Sequence, residues 1–283
     1  MKNLKLIALA LFTILISSCS SDESGDGSQS GDAYFNFTYN NKTQKVKTWE
    51  AIKQGDFIEV LGTSEEGFAI DFKFNTYGNL YEAITNSTSI TSTIPNHYAL
   101  GNFSSNTFTF TLENLNPTDK TVQVKFSGKI YEDEYDYQSD FINVSGSFKI
   151  PYKEIASDFE GQGTFAKLDG KDWHGLVMSS TIENMESYIL YAQNDGEYTI
   201  NITFPYSGAK AGTYTFTNNS AYKISFQKYD VATHENIDYI VSGTINYTAI
   251  NDFYVTGTFN LTATHPVTKA KITITNGTFK ERK

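Results

Sequence analysis

The chain has 283 residues, with 22 Lys+Arg against 32 Asp+Glu for a net charge of −10, one Cys, two Trp, 19 Tyr and 21 Phe. That length suits two domains, each large enough to bury its own core. Aromatics interleaved with Thr, Ile and Val are strand composition, which argues against disorder, coiled coil or a helical bundle. An acidic chain without a basic stripe argues against a nucleic-acid surface.

Lys2 and Lys5 precede Leu6 to Ile16, an 11-residue hydrophobic run broken only by Thr13, and then the small residues Ser17-Ser18. This is the order of a secretory signal peptide, residues 1–18, and the run is too short to span a bilayer as a helix. Ile16-Ser17-Ser18-Cys19 resembles the lipobox of bacterial lipoproteins. The resemblance implies cleavage before Cys19, acyl chains on its sulfur and new N-terminus, and anchoring without a transmembrane helix. The competing reading is a plain secreted chain with a stray Cys. Loss of Lys2 and Lys5 takes the net charge from −10 to −12. Residues 19–31 are then a Ser/Gly/Asp-rich tether with Asp22, Glu23 and Asp26 and no apolar residue after Cys19, a composition that cannot support a core. Acids just after the anchor resemble the surface-export signal of Bacteroidota lipoproteins. The expected location is the outer membrane, at the cell surface or on the periplasmic face.

Residues 32–156 and 157–283 read as diverged copies of one β module. Phe35-Asn36-Phe37 leads through Asn40-Asn41 to Trp49, as Phe165 to Leu168 leads through Asp169-Gly170 to Trp173; both dipeptides suit the positive φ of a tight hairpin. Ala69 to Phe74 and Thr199 to Phe204 alternate with period two, each a strand with one wet face. Phe126-Ser127-Gly128 aligns with Val255-Thr256-Gly257, and Val144 to Phe148 with Thr275 to Phe279; a second register sets Ser127-Gly128 against Ser242-Gly243. Copy one has extra residues between Phe74 and Tyr98. Copy two has them between Tyr214 and Ile245, where Ala221 to Tyr229 and Ile237 to Ser242 read as a strand pair. Only Leu80 to Asn86 is compatible with a short helix. The expected fold is all-β: two tandem antiparallel β-sandwich- or barrel-like modules.

Asp169-Gly170-Lys171-Asp172-Trp173, Gly212-Thr213-Tyr214, Val255-Thr256-Gly257-Thr258-Phe259 and Ile274-Thr275-Asn276-Gly277-Thr278-Phe279 together resemble an uncharacterised β-rich lipoprotein domain of Bacteroidota. The resemblance covers residues 163–280 and, more weakly, the first copy. It implies a sandwich-like fold and carries over no catalytic residue.

Candidate chemistry is sparse. His97, His174, His234 and His265 lie apart, without HxH or HExxH spacing, and His97 and His265 read as turn or surface residues. No GxSxG occurs. Glu132, Asp133, Glu134, Tyr135 and Asp136 form the densest acidic run; it offers oxygen ligands for Ca²⁺ but lacks the spaced loop pattern, and a solvated loop is the competing reading. Trp49 and Trp173 read as occupying matching places, either plugging cores or, with Tyr131, Tyr135, Tyr137 and Phe141, stacking on a sugar. The expectation is a membrane-anchored, non-enzymatic binding or structural module for a glycan, peptide or protein partner, with no nucleic acid and no assigned cofactor. The alternatives are a hydrolase using carboxylates that converge from separate strands, and an envelope spacer.

Overall fold

The computed structural model describes residues 33–88, 95–157 and 159–283. The signal peptide, Cys19 and the tether lie outside the described residues. Among those described, the chain is β throughout apart from one 3-10 turn at Ser104–Asn106, and no helix is long and apolar enough to cross a membrane.

The first half runs β1 (Tyr34–Tyr39), β2 (Lys42–Gln54), β3 (Phe57–Ser64), β4 (Phe68–Asn75), β5 (Leu80–Ser87), β6 (His97–Tyr98), β7 (Phe108–Asn116), β8 (Thr121–Tyr131), β9 (Phe141–Pro151) and β10 (Lys153–Ile155). Asn40 and Asn41 join β1 to β2 with φ of 48° and 62°, the left-handed pair that asparagine tolerates. β1 pairs with β2 on one side and β9 on the other, closing eight strands in the order 1-9-8-6-5-4-3-2 into a barrel. β7 adds to β8 off this circuit, and β10 lies parallel to the outer end of β2. Inward residues at alternate positions fill the barrel. Phe72 packs on Phe126 at 4.7 Å between ring centroids and Phe35 on Phe148 at 4.9 Å, and all four rings are buried.

The second half runs β11 (Gly163–Leu168), β12 (Lys171–Glu183), β13 (Ser187–Gln193), β14 (Tyr198–Pro205), β15 (Gly212–Thr217), β16 (Lys223–Asp230), β17 (Glu235–Asp238), β18 (Ile240–Ile250), β19 (Tyr254–Thr264) and β20 (Lys271–Arg282). Its order is 15-18-19-20-11-12-13-14-16-17. As β1 sits between β2 and β9, so here the first strand, β11, sits between β12 and the last, β20. The sheet curls over one core. Tyr214 of β15 stacks on Tyr222, just before β16, at 3.8 Å and 7°, so rings rather than ladder hydrogen bonds draw its two ends together.

The glycine–phenylalanine motifs have a packing reason. On β19 and β20, Gly257 stands opposite Phe279 and Phe259 opposite Gly277, so each ring lies across the bare backbone of the facing glycine. In the barrel, Phe126 covers Gly146 in the same way, with Gly146 its cross-strand partner.

Three expectations are corrected. Leu80 to Asn86 is not helical but lies within β5, where Tyr81 is an extra residue bulged between the pairs Phe74–Leu80 and Lys73–Glu82. The bulge shifts the buried positions to Leu80, Ala83 and Thr85, a spacing that imitates a helix face. Ile237 to Ser242 is not one strand. Tyr239, buried with its N–H donated to the Phe226 carbonyl at 3.0 Å, splits it between β17 and β18. Finally, Trp49 and Trp173 do not match. Tyr39 faces Lys42 and Leu168 faces Lys171 across turns of equal length, so the counterpart of Trp173 is Gln44.

Candidate functional site

The acidic loop between β8 and β9 is folded on itself. Asp133 Oδ1 accepts the Tyr135 N–H at 2.9 Å and Asp136 Oδ1 the Gln138 N–H at 2.8 Å, so both carboxylates cap their own turns. The Glu134 carbonyl accepts the Gly101 N–H at 2.8 Å, while the Glu132 side chain is exposed. Among the described residues no three His, Cys, Asp or Glu side chains gather as a metal-ligand set. The Ca²⁺ reading of this loop has no geometric support.

Nor do the aromatic candidates form a free platform. Tyr131 is buried at 3% exposure, beneath Tyr137 and Phe141. Tyr137 reaches the second sheet, stacking on Tyr229 at 6.0 Å and 13° and packing on His234 at 4.8 Å. Burial, followed by the neighbouring Tyr229 and Tyr131, pushes its hydroxyl up to about 12. Tyr135 is exposed and lies over Gly101. Trp49 is part-exposed on β2, opposite Gly62. Trp173 is buried over Gly175, with an Nε1 that has no hydrogen-bond partner. His97, expected in a turn, is buried in β6, and its burial lowers its pKa. His265 is a turn residue as expected; its Nδ1 accepts the Val267 and Thr268 N–H groups at 3.1 and 3.2 Å.

What sequence reasoning missed is the seam between the two sheets. The β13–β14 turn, read only as Asn194-Asp195-Gly196 turn chemistry, inserts Asp195 against the first sheet. Its carboxylate accepts from the Asn79 amide at 3.1 Å and from the Leu80 backbone N–H, and its carbonyl accepts the Ser105 N–H at 2.9 Å. Burial raises the Asp195 pKa. Beside it Tyr77 stacks on His174 at 3.9 Å and 10°, with Phe165 edge-on to both. Burial lowers the His174 pKa.

The same seam holds a small cleft of about 60 Å³, room for a few waters or one small polar group. Gln54 to Phe57 of the β2–β3 turn form one wall, Ser157, Phe159, Gly161 and Gln162 of the connecting segment another, and Arg282 of β20 the third. Arg282 is the only arginine of the chain. Its guanidinium lies over the Phe159 ring at 5.3 Å, with the Lys280 ammonium over the same ring at 4.6 Å. Among the described residues it pairs with no carboxylate, and a guanidinium presents in-plane donors suited to an anion.

Because side chains alternate along β20, the next residue inward, Glu281, enters the core. It is fully buried, and Oε1 accepts the Thr164 hydroxyl at 2.7 Å, with the Val177 backbone and the Gln162 side chain also near the carboxyl. Burial pushes its carboxyl up to about 8, so it is a neutral acid at pH 7. A second raised acid, Asp71, lies away from the cleft between β3 and β5. Burial first, then Glu82 and Glu59, push it to about 7, while the one nearby cation, Lys73, pairs with Glu59 at 3.6 Å. The two acids are on different sheets and do not form a catalytic pair across the cleft.

No curated protein and no solved structure matches this chain. Residues 161–281, from the end of the connecting segment through Glu281, match the family model described as a domain of unknown function, DUF6252.

Proposed function

We propose that this protein is a lipid-anchored, non-catalytic binding module of the bacterial outer envelope, held through Cys19, with two diverged copies of one β unit meeting at the ligand-facing seam. The cleft carries the binding reading: the chain's one arginine, with no carboxylate partner among the described residues, backed by Phe159 and flanked by the amides of Gln54 and Gln162. Guanidinium, amides and an apolar ring face are the complement of an acidic sugar residue, with the carboxylate on Arg282 and hydroxyls on the amides. Both halves have their cores filled by aromatic side chains, so a ligand's place is outside, between them. The two-copy reading is supported by the shared placement of the first strand between the second and a late strand, β9 or β20, and by Gly146 and Gly277 each lying beneath a cross-strand phenylalanine.

Two measurements test this. Cys19→Ala is expected to move the protein from the membrane fraction to the soluble fraction, and protease on intact cells is expected to degrade the wild type if it is surface-displayed. A glycan array on the full-length protein in detergent is expected to favour uronate-bearing over neutral chains. Arg282→Gln is expected to weaken that binding about tenfold or more, the scale of one charge-assisted contact. Retention of Cys19→Ala in membranes would remove the anchor. Equal binding by Arg282→Gln would remove the cleft.

A further inference from the structure

β12 takes its two partners in succession: β11 pairs with its first five residues, Lys171 to Gly175, and β13 with the rest, from Leu176 to Glu183. β11 ends its pairing opposite Gly175, and beyond the bulge at Met178 the strand has β13 on one side and, among the described residues, no strand on the other. From Met178 to Glu183 every residue is exposed, on both faces. Met178 and Ile182 lie on this stretch, and Met185 follows in the turn, where Tyr206, also exposed, donates its N–H to the Glu186 carbonyl. An open edge about 20 Å long that carries apolar side chains is a template for another strand.

The barrel shows how such an edge is covered in this fold. There the outer end of β2 is paired by β10, in parallel, through Ile52, Lys53 and Gln54. Ion pairs fix that match: Lys53 with Glu154 at 2.9 Å and Lys153 with Glu50 at 3.7 Å. On β12 the charges at the end of the edge are Glu183 and Glu186, and neither has an ion-pair partner among the described residues.

We infer that the open edge of β12, Met178 to Glu183, is a docking site for an extended polypeptide strand of a partner protein, uncharged and β-branched along its length and lysine-bearing where it meets Glu183 and Glu186. A second copy of this chain is the poorer occupant. Edge-to-edge pairing of six residues buries far less than the roughly 1,200 Å² of a stable globular interface, and it brings no cation to the two glutamates. A free strand needs only backbone pairing and a few side-chain contacts. The inference rests on the binding reading above but uses a different face, so its failure leaves the cleft untouched.

The test uses the full-length protein in detergent and a fluorescein-labelled peptide, acetyl-Lys-Thr-Val-Thr-Ile-Thr-Val-Lys-amide, read by polarisation. Saturable binding is expected. Glu183→Lys with Glu186→Lys is expected to weaken it at least tenfold and to favour the same peptide with glutamates at its ends. Thr181→Pro and Ile182→Pro place the missing N–H on opposite edges, so one of them keeps the wild-type melting temperature and abolishes binding. No binding by wild type, binding indifferent to the charge reversal and to both prolines, or dimerisation through this edge in sedimentation would each overturn the inference.

Discussion

Gly277→Val is expected to cost about 3–4 kcal/mol and, in a domain of ordinary stability, to leave a detectable unfolded fraction. A Cβ at this position would stand 2.6 Å from three atoms of the Phe259 ring, and that ring is buried in the core. Phe259→Ala alone is expected to cost about 3–5 kcal/mol through the cavity it leaves. Because ring and glycine are direct cross-strand partners, the double variant should cost less than the sum of the two. The coupling should lie in the range of about 0.5–3 kcal/mol found for contacting residues. Urea unfolding of the four proteins measures it; strict additivity would mean that the glycine is there for some reason other than the ring.

Glu281→Gln is expected to change how stability depends on pH. The folded carboxyl titrates near 8 and the free one near 4.5, so between those values the folded protein holds a proton that the unfolded chain has released. Stability from this group is therefore full below about pH 4.5, falls as pH rises toward 8, and changes no further above it. The slope approaches about 1.4 kcal/mol per unit, and the window is worth a few kcal/mol. Glutamine keeps the shape and cannot ionise. The variant should match wild type near pH 5 and exceed it increasingly toward pH 8–9 in urea midpoints. Asp71 works in the same direction up to about 7, so wild type minus variant isolates Glu281. Parallel curves would show that the buried acid stays ionised or is solvated. In the barrel, the residue two beyond Phe148 is Ile150, buried as Glu281 is two beyond Phe279. The acid is thus peculiar to the second sheet.

The strands were legible because their evidence is local. Alternation placed β4 and β14, and the Asn40-Asn41 and Asp169-Gly170 dipeptides placed the turns that open each half, with φ of 47° and 85° at the second. Bulges broke the same logic: one extra residue at Tyr81 turned a strand's period of two into an apparent helix face. The tryptophans misled because residue type was matched without counting from the turn. The seam was illegible for a different reason. Asp195 and Asn79 are 116 residues apart, and each alone is an ordinary turn former. Arg282 gave the one available signal, a single arginine among lysines, but only folding brings it over Phe159.

The placement of the first strand between the second and a late strand sets the order in which this chain folds. Phe35 pairs with Phe148 and Thr164 with Phe279, so the first strand of each half lacks one of its two neighbours until β9 or β20 has been made. Contacts this distant in sequence close slowly, in milliseconds to seconds. During synthesis from the N-terminus the first half therefore waits for β9 and the second for β20 before each closes on its own beginning.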